Sequence, residues 1–340
     1  MSTWSDLPRS SQIEQKERCD PLKSEKIPEL SLGETMYCLM LCCPICKSSN
    51  VAVHQKGDDR DLDSRAFGSS RTTTSAGEIL RCRDCDFGFR KNRYDESLLA
   101  EIYSQMDATV YEKELRGRRK TAEQHLSIVQ KQLRGGTILD VGCASGLFLT
   151  EAVNAGWRVT GLEPAEVLFS QANARLGGQG KVICKTLEQA DLAQDSFDAI
   201  TLWDVLEHVS DPVATLIRCR TLLKANGFVF LNVPDLDSLQ ARILGKSWPL
   251  LLAEHLNYFN RPSLKLCAER AGLSLVRFGR RRVSFSLQYI GYRLAQHRVL
   301  GATLLSGMAQ SRLGTLLIPV SLGETFAVFQ AGSSGSLPEN

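Results

Sequence analysis

The sequence predicts an α/β fold over residues 135–332, in which a doubly wound, mostly parallel β-sheet has helices on both faces. Apolar runs of strand length alternate with segments of helical spacing throughout this region. The first run, TILDV (137–141), leads into a glycine-containing turn, and an acidic residue ends the next run about twenty residues later. These observations are typical of sheets that bind a nucleoside-like ligand at the carboxyl ends of their strands.

The elements follow one another regularly along the chain. Before the first strand, YDESLLAEIYSQ (94–105) and KELRGRRKTAEQHLSIVQKQL (113–133) have roughly helical spacing, which predicts a helical linker and cap over residues 93–134. After this strand we expect helices near 145–155, 165–176 and 211–224, and strands at 157–162, 181–184, 197–203 and 228–233. Pro212 at the start of the third helix and Gly227 after its end are usual helix boundaries.

The pattern changes after residue 235. DLDSLQARILG and RPSLKLCAERAG predict two helices, LSLVRFG predicts a strand, and ETFAVFQAG (324–332) predicts the closing strand. Apolar and basic residues at about 285–318 predict a mostly helical insertion. Its first expected role is a substrate lid or core cover, and a dimer face or a membrane-surface helix are the alternatives. Residues 1–35 are expected to be a disordered tail, and residues 333–340 a second tail.

The glycine-containing turn has the chemistry of a ligand site. Gly142 and Gly146 lie where a strand must turn sharply into a helix, and without a Cβ they let backbone N–H groups approach a ligand closely. The helix that begins near Ser145 points its free amides and positive dipole end at the same place, which suits a carboxylate. Glu163 has the spacing at which an acid accepts hydrogen bonds from ribose hydroxyls. The turn lacks the GxGxxG pattern of pyrophosphate-binding turns. Its absence favours a ligand with an amino-acid end over one with a pyrophosphate, and the ammonium of that ligand would lie near Asp140.

Residues 137–279 resemble the class I S-adenosylmethionine-dependent methyltransferases, most closely the branch that includes the ubiquinone O-methyltransferases and many sugar or natural-product enzymes. The blocks that carry the resemblance, in that family's order, are DVGCASG (140–146), GLEP (161–164), SFDAITLWDVLEHVSDP (196–212), LLKANGFVFLNVP (222–234) and EHLNYF (254–259). The resemblance implies a Rossmann-like, seven-stranded sheet and S-adenosyl-L-methionine as the methyl donor. One departure is Ala144, where the family usually has glycine.

The resemblance also implies a set of donor-binding residues. Glu163 would bind the ribose, Trp203 would cover the donor, and Thr186 and Leu187 would lie where adenine rests. A buried core position is the alternative for Trp203. The expected donor-binding residues are Asp140, Gly142, Ser145, Gly146, Glu163, Pro164, Thr186, Leu187, Trp203 and Asp204.

A hydroxyl acceptor would also need a base, and histidine is the side chain best matched to neutral pH. His255 in EHLNYF follows the fifth strand and matches a histidine of the quinone methyltransferases that resemble this chain, so it is the first candidate. His208 is the second candidate, expected at the start of the helix after the fourth strand, with a helix cap or a buried hydrogen-bonding role as its alternative. Glu254 could bind a metal or a polar acceptor, or could be an exposed acid.

Eleven cysteines, an odd number in a sequence without an apparent secretory signal, argue against a disulfide framework. CPIC and CRDC instead predict a tetrahedral site for a structural Zn²⁺, because four thiolates leave no coordination position open. Residues 36–92 are therefore predicted to form a zinc-ribbon-like module. Cys42 could replace Cys43, and free thiols are the alternative. The expected ligands are Cys43, Cys46, Cys82 and Cys85.

Composition limits the partners. The chain is 43% hydrophobic and 23% charged, with a net charge of +3, which gives no general argument for nucleic acid or a membrane surface. The basic clusters RGRRK (116–120) and RRR (280–282) are typical of solvated helix or strand ends. Residues 1–30 are polar, and no apolar run reaches the roughly 18 residues of a membrane span. We therefore expect a cytoplasmic protein with no transmembrane segment.

Taken together, these patterns predict an S-adenosylmethionine-dependent methyltransferase that modifies oxygen on a small-molecule, sugar or quinone-like acceptor. An RNA methyltransferase that uses the zinc module and the basic clusters to hold RNA is a second hypothesis, although nucleic acid is not the expected partner. A non-catalytic protein that binds S-adenosylmethionine or zinc is a third. The sequence carries no signal for an oligomeric state.

Overall fold

The computed structural model describes residues 42–57, 77–91, 114–296 and 312–332. The predicted tails at 1–35 and 333–340, the predicted helix at 94–105 and the centre of the insertion lie outside the described residues. Within the described part of the chain, every helix is too short or too polar to cross a membrane.

The strands and helices alternate in the predicted order. The strands are β1 (Val51–Gln55), β2 (Ile79–Cys82), β3 (Gly88–Arg90), β4 (Thr137–Val141), β5 (Arg158–Leu162), β6 (Lys181–Ile183), β7 (Phe197–Trp203), β8 (Leu223–Pro234), β9 (Asn257–Tyr258), β10 (Leu273–Arg280), β11 (Val283–Ser286), β12 (Leu317–Val320) and β13 (Glu324–Ala331). The helices are α1 (Leu115–Val129), α2 (Leu147–Asn154), α3 (Glu166–Leu176), α4 (Pro212–Leu222), α5 (Leu239–Leu244), α6 (Arg261–Arg270) and α7 (Leu287–Gln296), with short 3₁₀ helices at Gly245–Ser247 and Arg312–Thr315.

Seven strands form the main sheet, in the order β10-β13-β8-β7-β4-β5-β6. Strands β4 to β8 of this sheet run parallel, whereas β13 is antiparallel to both of its neighbours. The chain moves outward from β4 in both directions, so the strand order reverses between β4 and β7. A ligand crevice is expected at this reversal, beside the carboxyl ends of the two strands. The predicted doubly wound, mostly parallel, seven-stranded sheet is confirmed.

Burial explains why the main strands were predictable. The central strands are nearly continuous apolar runs because both of their faces are covered by helices. Strand β8 begins five residues earlier than predicted, because Leu223 already pairs with Phe197. The register then shifts before pairing resumes between Ala199 and Phe228, and this irregular stretch hid the start of the strand.

A second sheet, in the order β1-β2-β3-β9, joins the cysteine module to the main domain. Its last pair is antiparallel, with Gly88 opposite Tyr258 and Phe89 opposite Asn257. Gly88 is suited to this contact, because a Cβ there would lie 2.8 Å from Leu236 Cδ2 and 3.2 Å from the Tyr258 Cβ. The described module therefore shares a sheet with the EHLNYF segment.

The predicted insertion contains the helix α7, but strands lie at both of its ends. Strands β11 and β12 pair antiparallel as a separate two-stranded sheet. Helix α1 packs on this ribbon, where Glu114 accepts hydrogen bonds from the backbone N–H and the hydroxyl of Ser286. The strands were not predicted, because segments of only four residues, such as VSFS and LIPV, are too short to show whether their apolar residues follow a strand or a helix period.

Candidate donor pocket and histidine cluster

The turn after β4 has the backbone conformation of a close-approach ligand loop. Gly142, Ala144 and Gly146 all have positive φ, at 68°, 46° and 78°. A Cβ on Gly142 would lie 2.8 Å from Val205 Cγ2, so a side chain has no room there. Helix α2 starts at Leu147, and none of the described side chains caps its first amides. Those amides are available to a carboxylate.

Glu163 supports this turn from the end of β5. Its side chain is buried, Oε2 accepts a hydrogen bond from Ala144 N at 2.8 Å, and Oε1 accepts one from Ala165 N at 2.9 Å. Burial raises the pKa of Glu163, while the two backbone N–H groups act in the opposite direction. Because each carboxylate oxygen has two lone pairs, both oxygens keep capacity for ribose hydroxyls.

Asp140 lies at the end of β4 and is also buried. Its Oδ1 accepts a hydrogen bond from Thr201 Oγ1 at 2.7 Å. Burial raises the pKa of Asp140 to about 7, the hydrogen bond from Thr201 lowers it, and the charge of Glu163 adds to the rise. A ligand ammonium at this position would stabilise the ionised carboxylate.

The remaining predicted donor residues have less specific surroundings. Ser145 is buried, and its carbonyl oxygen accepts a hydrogen bond from Arg175 Nε at 2.8 Å. Pro164 is half-buried, directly after Glu163. Thr186 and Gln189 exchange hydrogen bonds between backbone and side chain, and Leu187 belongs to the main hydrophobic core.

Trp203 ends β7 and stacks on a residue that the sequence did not indicate. The Trp203 indole and the His125 imidazole are nearly parallel, with ring centroids 3.9 Å apart, and Phe148 meets Trp203 edge-on at 5.8 Å. His125 comes from α1, so the predicted cap helix covers this strand end. Burial, together with the charge of Arg281, lowers the pKa of His125 well below its usual range, so the stacked imidazole is neutral. A single histidine in a helical run offers no signal for this contact.

Asp204 follows Trp203 and belongs to a charged network across the strand ends. It accepts hydrogen bonds from Arg281 Nη1 at 2.6 Å and Nη2 at 3.1 Å, and a further one from Asn232 Nδ2. Arg281 Nη1 also donates to Glu324 Oε1 at 2.8 Å. Arg281 is only 7% exposed, so the expectation that RRR (280–282) is a solvated strand end is wrong for this residue. Its charge is buried because two carboxylates compensate it.

The two predicted histidines lie against each other. Their rings are in an edge-to-face arrangement, with centroids 4.8 Å apart. His255 Nδ1 lies 2.9 Å from Leu250 O, and His208 Nδ1 lies 3.1 Å from Glu254 O. Since a carbonyl oxygen can only accept, each Nδ1 carries the proton and each Nε2 carries a lone pair. Burial lowers the pKa of His208 to about 4 and that of His255 well below its usual range, so both rings are neutral at pH 7.

The helix cap expected as one alternative for His208 and the exposed acid expected for Glu254 are both wrong, whereas the alternative of a hydrogen-bonding role for His208 is borne out. His208 lies in a turn and does not cap α4, because Asp211 accepts hydrogen bonds from Val213 N and Ala214 N and is the cap. Glu254 is not an exposed acid, since it is only 7% exposed. Its backbone carbonyl holds His208 in place.

Glu207, which the sequence did not single out, joins the histidine pair. It is 1% exposed, and ligand atoms from Glu207, His208 and His255 lie within 4.8 Å of one another. Burial, with the charge of Asp204 adding to it, raises the pKa of Glu207 well above its usual range. In the sequence, only its position directly before His208 could have indicated that Glu207 belongs to this cluster.

The four predicted cysteines also converge. The Cys43 and Cys85 sulfurs are 3.5 Å apart, the Cys46 and Cys82 sulfurs are 3.4 Å apart, and all four lie within 4.8 Å of one another. Four thiolates at the Zn–S distance of about 2.3 Å would be separated by about 3.8 Å, so this donor set fits a tetrahedral Zn²⁺. Cys42 is disulfide-bonded and lies outside the tetrad.

The two cysteine pairs have the same local backbone. Lys47 N donates to Cys43 O at 2.9 Å, and Asp86 N donates to Cys82 O at 3.0 Å. Lys47 and Asp86 both have positive φ, at 60° and 62°. The two equivalent knuckles face each other, and this accounts for the convergence of the four sulfurs.

The sheet order, the left-handed glycine turn after β4 and the acid at the end of β5 are those of the class I methyltransferase fold. Residues 111–277 match the family model of a methyltransferase domain. This part of the chain, just under half of its length, is thus similar to that methyltransferase family, in keeping with the sequence blocks.

Several curated proteins are similar to part of the chain. A ubiquinone biosynthesis O-methyltransferase of Histophilus somni (strain 2336) is 36% identical over 118 residues, which cover 32% of this chain and 50% of the relative. A protein of the same name from Xanthomonas campestris pv. campestris (strain B100) is 38% identical over 104 residues, covering 29% of this chain and 44% of the relative. The chain thus spans about half the length of the curated relatives it matches.

The similarity of this chain to solved structures is weaker than its similarity to the curated proteins. A S-adenosylmethionine-dependent methyltransferase from Methanosarcina mazei has a TM-score of 0.44 at 15% identity, covering 61% of this chain and 98% of that one. A score at this level adds nothing to the similarity found with the family model.

Proposed function

We propose that this protein transfers the methyl group of S-adenosylmethionine to a hydroxyl oxygen of a small-molecule, sugar or quinone-like acceptor. The observation that carries the proposal is the convergence of the Glu163-supported turn and the paired histidines on the same edge of the sheet. The names of the curated relatives describe O-methyltransferases, and this supports oxygen as the atom methylated.

Each part of the donor has a complementary group in the proposed pocket. The free amides at the start of α2 suit the carboxylate, and ionised Asp140 suits the ammonium. Glu163 suits the ribose hydroxyls, since both of its oxygens keep a lone pair. Trp203, held flat against His125, offers an aromatic face beside the positively charged sulfonium.

Methyl transfer itself requires little beyond geometry, because the sulfonium is already activated. The acceptor oxygen forms a bond to the methyl carbon, the bond from sulfur to that carbon breaks, and its electron pair stays on sulfur. In the simplest scheme, the lone pair on His255 Nε2 accepts the hydroxyl proton. Its tautomer supports this role, because the proton on Nδ1 is donated to the carbonyl oxygen of Leu250 and Nε2 therefore carries the lone pair.

The cysteine tetrad is proposed to bind one structural Zn²⁺. The equivalent knuckles and the sulfur separations support this assignment. The ion would stabilise a module with few apolar residues of its own, since structural zinc sites contribute on the order of 10 kcal/mol to folding.

An acceptor screen tests the proposed activity. The full chain is incubated with S-adenosylmethionine labelled in its methyl group and with separate pools of quinols, phenols, sugars and RNA. We expect label in a small-molecule pool, and alkali-stable, ether-type products when oxygen is the acceptor. Label in RNA alone, with an affinity for RNA that falls steeply with salt, would favour the RNA hypothesis instead. Donor binding with no turnover on any pool would favour a non-catalytic role.

A further inference from the structure

The carboxylate of Asp204 is fixed at the end of β7 and remains accessible. The two Nη atoms of Arg281 donate to its two oxygens, and Asn232 both donates to the carboxylate and accepts a hydrogen bond from the Asp204 backbone N–H at 3.3 Å. The φ of Asp204 is 58°, a left-handed conformation that a residue other than glycine keeps where its surroundings hold it. Within the part of the chain that the structure describes, 45% of this side chain is exposed, so a ligand can reach it.

A second acid shares the same guanidinium. Arg281 Nη1 donates to Glu324 Oε1 at 2.8 Å, whereas the buried Glu324 Oε2 receives no hydrogen bond from the described donors. The Glu324 carboxyl also lies within hydrogen-bonding reach of Asp204, and such a bond between two acids needs a shared proton. Burial raises the pKa of Glu324 to about 8, against the charge of Arg281 and with the help of Asp204. Without a ligand, Glu324 is therefore mostly protonated at pH 7.

The groups around this acid pair favour a ligand with a positive charge. Burial and the charges of Asp204 and Glu324 raise the pKa of Glu207, so a third buried acid faces the pair. His125 adds a neutral imidazole whose buried Nε2 has no partner among the described residues. Arg281 already donates to both carboxyls of the pair. A ligand that donates hydrogen bonds and carries a positive charge complements such surroundings.

We propose that Asp204 and Glu324 bind a protonated amino group of the methyl acceptor, which is therefore a hydroxyl compound that also carries an amine. The ammonium takes the place of the proton that the two acids share, so that two carboxylates balance the ammonium and the guanidinium of Arg281. A quinol or a neutral sugar brings no such charge. Because Asp204 follows Trp203 at the strand end beside the donor pocket, an acceptor anchored there lies near the methyl group.

Asp204 binds the acceptor in this proposal and does not take its proton. Burial acts to raise the pKa of Asp204, but the charge and hydrogen bonds of Arg281 hold that pKa well below its usual range. An acid that stays ionised is a weak base, so His255 keeps the role of proton acceptor. The assignment of the amine to a methyl acceptor rests on the proposed methyl transfer, whereas the ammonium site itself does not.

Matched pairs of ligands test the ammonium site without methyl transfer. The full chain, with S-adenosylhomocysteine present, is titrated by calorimetry with tyramine and tyrosol, and with glucamine and sorbitol. In each pair a hydroxyl replaces the amino group. We expect at least one amine to bind at least about tenfold more tightly than its analogue, since hydrogen bonds between charged groups are the strong ones. Titration at pH 7 in two buffers of different ionisation enthalpy should also show the release of a proton from Glu324.

Glu324→Gln keeps the size of the side chain but cannot ionise, so the preference for the amine should fall to about twofold or less and the proton release should vanish. Asp204→Asn should also lose the preference. Glu269→Gln is the matched control, because Glu269 lies on the surface of α6 and pairs with Lys265. Circular dichroism checks that each variant is folded. If Glu324→Gln does not fold, the wild-type preference, the proton release and Asp204→Asn decide.

Equal affinities within both pairs in wild type would overturn the proposal, as would a preference for the amine that persists in both folded variants. If the affinities are equal while label still enters a hydroxyl acceptor without an amine, the proposed methyl transfer stands and the ammonium site falls. A preference for the amine with no labelled product from any pool would instead keep the ammonium site and contradict the methyl transfer.

Discussion

The backbone N–H of Arg90 donates a hydrogen bond to the carbonyl oxygen of Leu256, with a nitrogen to oxygen distance of 3.0 Å. Arg90 ends the strand that follows the second cysteine knuckle, and Leu256 is the neighbour of His255. Arg90 Nη1 also donates to the carbonyl oxygen of Ala253 in the same segment. The cysteine module thus holds the backbone that carries His255, so a zinc ion bound by the cysteine tetrad, as proposed, would also support the histidine segment.

Loss of the cysteine-bound metal should therefore loosen the histidine segment. We expect Cys82→Ser to bind no zinc and to show faster amide hydrogen exchange at residues 250–259, because strand β3 loses its anchor. Cys219→Ser is the control, since Cys219 is equally buried but lies outside the tetrad. Equal exchange rates in this segment for wild type and zinc-free Cys82→Ser would contradict the coupling.

Gly88→Val tests the contact between the two sheets. The added side chain must displace Leu236 or Tyr258, and overpacking of this kind costs about 1–3 kcal/mol. We expect a lower free energy of unfolding, measured with urea, and an unchanged zinc content. Gly135→Ala is the matched control, because nothing lies within 4 Å of a Cβ at that position. Equal loss of stability in both variants would mean that the close approach at Gly88 is unimportant.

Ala144→Gly should stabilise the donor turn. Ala144 has a φ of 46°, a left-handed conformation that costs an L-residue about 1–2 kcal/mol and costs glycine little. The higher entropy of glycine in the unfolded chain offsets about 0.5–1 kcal/mol of this gain. Ala155→Gly, where φ is −92°, should instead lower the free energy of unfolding. Destabilisation by both substitutions in urea melts would show that the turn is not strained.

Donor affinity should fall as the pH falls through 7. The folded-state pKa of Asp140 is about 7, so its carboxylate takes up a proton below that pH and no longer attracts the donor's ammonium. Without ligand, this raised pKa favours the folded protein at low pH, and that contribution is lost as the pH rises from about 4 to 7. Calorimetry with S-adenosylmethionine at pH 5.5 to 8.5 should show up to about a tenfold loss of affinity per pH unit below 7.

Asp140→Asn should remove this pH dependence, whereas Asp191→Asn, a change at an exposed position, should leave it intact. A slope that survives in Asp140→Asn would assign the titration to another group.

Arg281→Met should destabilise the fold strongly. It leaves the carboxylates of Asp204 and Glu324 without their shared guanidinium, and breaking a buried pair in this way costs about 3–5 kcal/mol. The partial exposure of Asp204 places the expected loss at the lower end of that range. Arg282→Met, at an exposed neighbour, should be nearly neutral. Similar urea midpoints for the two variants would contradict a structural role for the Arg281 network.

Local patterns predicted the main sheet, because its strands are apolar on both faces and helices separate them. Spacing likewise indicated the cysteine tetrad, in which CPIC and CRDC each form a knuckle. Pairings between distant segments were not predictable. Strands β3 and β9 are only three and two residues long, so their joint sheet has no signal in either segment alone.

The same limit applies to single side chains. Arg281 looked like part of a solvated basic cluster, because its partners Asp204 and Glu324 are 77 and 43 residues away. His125 belongs to a helix whose stacking on Trp203 depends on how that helix docks. The position of Glu207 beside His255 could not be predicted, because the fold brings these two residues together from distant parts of the chain.

Calorimetric titration of S-adenosylmethionine into wild type and Glu163→Gln tests the central claim most directly. The substitution keeps the size of the side chain but replaces one acceptor oxygen with a donor, so it removes hydrogen bonds worth about 1–3 kcal/mol. We predict measurable binding to wild type and to the surface control Glu269→Gln, with an affinity at least about tenfold lower in Glu163→Gln. No heat of binding with wild type, or equal affinity in all three proteins, would contradict the assignment of this turn as the donor pocket.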